Sequence, residues 1–126
     1  MTTPPANSVV WTEIPVRDID RGIAFYSSVF KFTMKRDDTG PNPMADLSSP
    51  DGGVSGHLYP GTPARPGEGP TIHLAVPDTL EDTSARVEKN GGSVVSGPIP
   101  LPVGRFCYAL DPDGNSIGLF EATKAA

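Results

Sequence analysis

Apolar and polar positions alternate from Ser8 to Val16 in SVVWTEIPV. Val10, Thr12, Ile14 and Val16 fall on one side, and Trp11 and Glu13 on the other. A two-residue period is that of a half-buried strand. From Ile19 the spacing lengthens: in IDRGIAFYSSVF, Ile19, Ile23, Tyr26 and Phe30 recur every three or four residues. That stripe predicts a helix, with Asp18 or Asp20 as its cap. Lys31 to Asp38 and Met44 to Ser48 predict two strands on either side of the turn-rich TGPNP. Pro50-Asp51-Gly52-Gly53 predicts a tight turn, and Val54 to Tyr59 a closing strand. The order is β-α-β-β-β.

The same order then returns. Thr71 to Val76 predicts a strand, and Asp78 to Lys89 a helix capped by Asp78 and stopped at Asn90-Gly91. Ser93 to Ser96, Arg105 to Leu110 and Ser116 to Phe120 predict three more strands. The closing phrases of the two halves match: SSPDGGVSGHLY and LDPDGNSIGLFE pair Pro50 with Pro112, Asp51 with Asp113, Gly52 with Gly114 and Gly56 with Gly118. Asp111-Pro112-Asp113-Gly114 fits a type I turn with Pro second and Gly where φ must be positive. Between the halves, PGTPARPGEGP reads as a Pro/Gly linker with nothing to pack. The expectation is one domain over 1–126: module one about 8–59, linker 60–70, and module two about 71–121. The fold class is α+β, two tandem β-α-β-β-β modules forming a curled mixed sheet with a central cleft and helices outside. Neither module is large enough to be stable alone, so each should bury a face against its twin.

Strand register decides one candidate. The strict repeat puts Val54, Gly56 and Leu58 in the cleft and leaves Ser55, His57 and Tyr59 against the helix, which makes a poor core. A shift of one residue buries Val54 and Leu58 and turns Ser55, His57 and Tyr59 into the cleft. The shifted register is preferred.

Composition narrows the partners. Net charge is −5, with 10 Lys plus Arg, a pI near 4.8 and no basic cluster, so nucleic acid and anionic membranes are excluded as partners. No apolar run approaches the roughly 18 residues of a membrane span, and MTTPPANS lacks the pattern of a signal peptide. The single Cys107 forms no internal disulfide, which suits a reducing compartment. A soluble cytoplasmic protein is expected.

EIPVRDIDRGIAFYSSVFKF followed by DPDGNSIGLFE resembles the vicinal oxygen chelate superfamily, which includes glyoxalase I, bleomycin-resistance proteins and extradiol dioxygenases. The likeness runs from Val9 to Glu121, and is greatest to small bacterial glyoxalase-like proteins of unassigned activity. The resemblance implies two modules around a cleft and, commonly, twofold dimers. In metal-dependent members it also implies four ligands, His, Gln or Glu, on the first and last strands of each module. Carried onto this chain, those positions are Trp11, Thr71, Gly118 and either Gly56 or, with the shifted register, His57. Three of the four cannot bind a metal in the usual way, so no metal and no cofactor are expected.

Glu13 and His73 keep the parity of the missing ligands, two residues beyond Trp11 and Thr71, and the repeat relates them by pseudo-twofold symmetry. A carboxylate and an imidazole so placed can act as an acid–base pair, bind a ligand, or fill the cleft floor as a structural pair. Glu13, His57 and His73 together define an alternative three-ligand site. Trp11 can stack on a flat ligand or fill core, and Phe120 can line a floor that Gly118 leaves roomy. Arg105 can meet an anionic group at the rim or be an exposed strand-end charge. Cys107 reads as a buried, inert thiol, and GTPARPGEG lacks the context of a phosphate loop. Two functions remain. One is a metal-free small-molecule-binding protein of the bleomycin-resistance type, using Trp11, Glu13, His57, His73, Arg105 and Phe120. The alternative is a glyoxalase-like lyase, isomerase or dioxygenase, metal-dependent or using Glu13 and His73 as acid and base.

Overall fold

The structure is a computed structural model that describes residues 5–47 and 53–123. The Pro50-Asp51-Gly52 turn lies outside the described residues. Strand β1 (Trp11–Val16) leads into helix α1 (Ile19–Phe30), then β2 (Arg36–Asp37), β3 (Met44–Asp46) and β4 (Ser55–Pro60). Strand β5 (Ile72–Ala75) and helix α2 (Leu80–Lys89) follow, then β6 (Ser93–Val94), β7 (Ile99–Leu101), β8 (Gly104–Leu110) and β9 (Ser116–Ala122). These form an α+β fold with a four-stranded sheet in the order β1-β4-β3-β2 and a five-stranded sheet, β5-β9-β8-β6 with β7 on β8. In each sheet the first and last strands of the half pair in parallel, β1 with β4 and β5 with β9. The duplicated order predicted from the pattern is present, with β7 added. Ile99 pairs with Phe106 and Leu101 with Gly104, in a stretch whose prolines argue against a strand unless it lies at an edge.

Helix α1 starts where Asp18 accepts a hydrogen bond from the Arg21 N–H at 3.1 Å, and it ends on Lys31 in the left-handed region. That reversal shortens the strand expected from Lys31 to Asp38. Phe32 and Met34 pack against the core, and only Arg36 and Asp37 find partners, Ala45 and Met44. Helix α2 is capped by Thr79, whose hydroxyl accepts from the Asp82 N–H, and not by Asp78 as expected. Asp78 instead holds Arg86 through two bonds of 2.9 Å. The left-handed stop falls on Gly91, at φ +93°.

The core lies between the sheets and the helices: Ile14, Val16 and Leu58 from the first sheet, Ala109, Ile117 and Leu119 from the second, and Phe25, Tyr26, Val29 and Val87 from the helices. Val10 and Val54, expected inside, lie beyond the strand ends and are exposed. The DPDGN turn locks the halves together. Gly114 adopts φ +86° and donates its N–H to the Asp111 carbonyl. Tyr26 of α1 donates its hydroxyl to Asp111 Oδ2 at 2.7 Å. Arg21 reaches Asp113 Oδ1 at 2.8 Å, and the Asn115 amide donates to the Pro15 carbonyl at 2.8 Å. Burial and the neighbouring Asp111 push the Tyr26 hydroxyl well above its ordinary pKa.

The connection between β4 and β5, expected to pack against nothing, docks. Pro63 is buried, and Gly67 donates its N–H to the Gly114 carbonyl at 3.1 Å. Pro66 lies against Gly114 so closely that a Cβ there would come within 3.0 Å of it.

Candidate functional site

A groove of about 820 Å³ runs between β1 and β5, with the docked connection supplying part of its wall through Ala64 and Glu68–Pro70. Trp11, Glu13 and His73 all line it. Their placement follows from strand parity. Ile14 and Val16 point to the core, so Trp11 and Glu13 face outward, 45 % exposed as a residue and 67 % exposed as a side chain respectively.

The preferred register of β4 holds. Leu58 is fully buried and Glu13 lies opposite His57 in the parallel ladder, so Ser55, His57 and Tyr59 share the open face with Trp11 and Glu13. His57 is the hub of that face. The Trp11 indole N–H donates to His57 Nδ1 at 2.8 Å, and an indole nitrogen can only donate. Nδ1 is therefore the bare nitrogen, and the ring proton sits on Nε2, 3.4 Å from Glu13 Oε1. Tyr59 meets the imidazole edge-on at 6.2 Å. On the other side, Asp46 of β3 lies directly opposite His57, so Glu13, His57 and Asp46 stand in a row across three strands. Asp46 escaped the sequence reading, because only the β3–β4 register brings it there.

Trp11 is the sole tryptophan. Its emission is expected to shift in His57→Phe, which removes the acceptor of the indole N–H, and unchanged emission would refute the hydrogen bond.

His73 occupies the second sheet. Its imidazole meets Phe106 edge-on at 5.0 Å and lies 6.0 Å from Tyr108. It also covers Gly118, where a Cβ would collide with the ring. The roomy floor expected at Gly118 is thus filled by His73. Glu13 has the His57 imidazole beside it at 3.4 Å, on its own sheet, while His73 keeps aromatic company. Phe120, half-buried, lies in the second sheet opposite Phe106 and Ala75. Arg105 sits elsewhere. It shares a strand face with buried Cys107 and Ala109, and its guanidinium holds Glu81 at 2.6 Å and Glu121 at 3.0 Å. Hydrogen bonds from the Arg105 guanidinium keep both carboxyls below the usual range, and Glu121 also accepts the Leu80 N–H at the start of α2. Arg105 is thereby committed to anchoring α2. Burial raises the Cys107 thiol.

The positions at which the resemblance implies metal ligands do not fit a metal. Trp11 offers a hydrogen-bond donor, Gly118 offers no side chain, the Thr71 hydroxyl is paired with that of Ser116, and His57, the fourth position in the register observed, has its Nδ1 taken by the Trp11 N–H. Nor do Glu13, His57 and His73 assemble as a set: among the described residues, no three His, Cys, Asp or Glu side chains gather to hold an ion. Among the described residues no helix is long and apolar enough to cross a membrane.

Comparison with known proteins bears on this geometry. Residues 8–119 match the model of the Glyoxalase/Bleomycin resistance protein/Dioxygenase superfamily. Among solved structures, a glyoxalase/bleomycin resistance protein from Albidiferax ferrireducens T118 superposes with a TM-score of 0.68 at 20% identity, covering 93% of this chain and all of that one. TnmS3, an antibiotic binding protein from Streptomyces sp. CB03234, superposes with a TM-score of 0.63 at 24% identity, over 96% of this chain and 100% of its own. A glyoxalase I mutant from Zea mays gives 0.69 at 19% identity, over 89% of this chain but 45% of the maize protein. A search of curated proteins found no relative of the chain.

Proposed function

Because this chain belongs to the Glyoxalase/Bleomycin resistance protein/Dioxygenase superfamily, we propose that it is a metal-free small-molecule-binding protein whose ligand lies in the groove between β1 and β5. The observation that carries this reading is the donor set. Where the resemblance implies four metal ligands, the chain presents an indole N–H, a paired hydroxyl, a glycine and a single imidazole, His57, whose Nδ1 already accepts from Trp11. The groove itself keeps a size suited to a drug-sized ligand, with apolar walls and a few polar groups. The antibiotic-binding neighbour is consistent with such a role, on a fold that by itself decides nothing about activity. Trp11 supplies a flat apolar surface. The His57 bond fixes its indole nitrogen, which lowers the entropy cost of presenting it.

Two measurements test the reading together. After incubation with nickel, cobalt or zinc, metal content by mass spectrometry should stay below about a tenth of an equivalent per chain. Library screening by thermal shift should find compounds that stabilise the protein in proportion to their affinity. That stabilisation should be lost in Trp11→Ala. Retention of close to one equivalent of metal would overturn the reading. A second reading uses the same groove, because Glu13 and His73 both line it. There they would act as acid and base, and turnover would show a bell-shaped pH profile. The reading also includes a cytoplasmic location and a twofold homodimer.

A further inference from the structure

Building on the groove as a ligand site, we propose that its occupant is an organic cation: a protonated amine or similar group on an apolar, flat body. The charges around the groove motivate this. Glu13 and Glu68 line it, and among the described residues no Lys or Arg does. Five of the six arginines are engaged elsewhere, and the sixth, Arg65, is exposed on the docked connection and does not line the groove. Arg17 and Arg21 hold Asp113, Arg36 holds Asp20 and Asp38, Arg86 holds Asp78, and Arg105 holds Glu81 and Glu121. Acid–arginine pairing is thus frequent across the surface, whereas Glu13 has only an imidazole as its partner. Asp46, on the far side of His57, adds a further carboxylate to the same face. A carboxylate on an apolar wall with no fixed counter-charge attracts a mobile one.

The rest of the wall selects the body that carries the charge. Val9, Trp11 and Val54 line the groove while 62 %, 45 % and 51 % exposed, an apolar surface that gains by being covered. Trp11 stands two residues from Glu13 on the same strand face, so a cation paired with Glu13 can also lie over the indole ring, where the ring quadrupole adds attraction. An anionic ligand would meet two carboxylates and, among the described residues, neither lysine nor arginine.

Three naphthalene probes of one shape separate the terms: 2-naphthylmethylammonium, 2-naphthylmethanol and 2-naphthoate. Their affinities can be measured by titration calorimetry at low salt and neutral pH, with binding located by the ¹⁵N-detected shift of the Trp11 indole N–H. The ammonium probe should bind about tenfold more tightly than the alcohol, and the carboxylate most weakly. The double substitution Glu13→Gln, Glu68→Gln, at two exposed positions, should bring the ammonium affinity down to that of the alcohol measured in the same variant. If the carboxylate binds as tightly as the ammonium, or the ammonium advantage survives in the double variant, the cation assignment is overturned while the groove stands as a binding site. If no probe moves the Trp11 indole signal, both the assignment and the proposed ligand groove are overturned.

Discussion

Replacing Gly56 with alanine is expected to cost about 3 kcal/mol of stability or more. Gly56 lies opposite Thr12 where β4 runs beside β1. A Cβ there would collide with the Thr12 carbonyl oxygen and come within 3.0 Å of Thr12 Cβ. The obstacle is backbone, so no rotamer change relieves it. Strand β1 must pull away from β4, and the ladder that sets Glu13 beside His57 opens with it. The Trp11–His57 hydrogen bond should be lost, with a shift in tryptophan emission even below the unfolding transition. Urea denaturation followed by circular dichroism and fluorescence measures both effects. Gly97 supplies the control, since a Cβ there meets nothing within 4 Å, and Gly97→Ala should stay within about 0.5 kcal/mol of the parent. Equal midpoints for the two variants would show that the strands do not approach as closely as described.

Asp111→Ala should be destabilising on a similar scale, by about 3 to 5 kcal/mol. The Asp111 side chain is almost fully buried, at 3% exposure. It accepts from the Tyr26 hydroxyl at 2.7 Å, from the N–H groups of Asp113 and Asn115 at 2.9 Å each, and from the Asn115 amide at 2.9 Å. Truncation leaves the buried Tyr26 hydroxyl and two turn N–H groups without their acceptor, and such orphans cost more than the bonds contribute. Tyr26→Phe removes only one donor and should cost about 1 to 2 kcal/mol. A double-mutant cycle on the pair should show coupling, because the tyrosine's penalty depends on the aspartate being present. Additive penalties would mean that the turn does not hold α1 through this bond. The carboxylate of the Pro-Asp-Gly phrase itself, Asp113, ties the same hairpin turn to α1 of the other half through Arg21 at 2.8 Å.

How far the sequence revealed this varies by kind of contact. Periodicity located both helices and most strands, because amphipathic spacing is a local record of which face is buried. The Gly56/His57 ambiguity was resolved by asking which register leaves a credible core, and Leu58 at full burial agrees. The Thr79 cap was harder, since Asp78 and Thr79 are both good capping residues and the choice depends on Arg86 claiming Asp78 from the next turns. Contacts between distant segments were invisible. The Trp11–His57 bond, Asp46 beside His57, and Arg105 between Glu81 and Glu121 each require a register or a packing angle that no single stretch encodes. The Pro/Gly connection misled for the same reason. Its composition describes a chain with few side chains to bury, and says nothing of the backbone bond from Gly67 to Gly114.

The parallel pairing of β1 with β4 has a kinetic side. The Trp11–His57 bond joins residues 46 apart, and the Asn115–Pro15 bond joins residues 100 apart. Every such contact must meet its loop-closure entropy before it contributes, which places proteins rich in them among slower folders. The helices can form early from local contacts. The first strand must wait for the fourth, and α1 for a turn near the far end of the chain. The groove is therefore among the last parts to be completed in folding, and slow or interrupted folding should leave a collapsed chain that is helical but has not yet formed the groove.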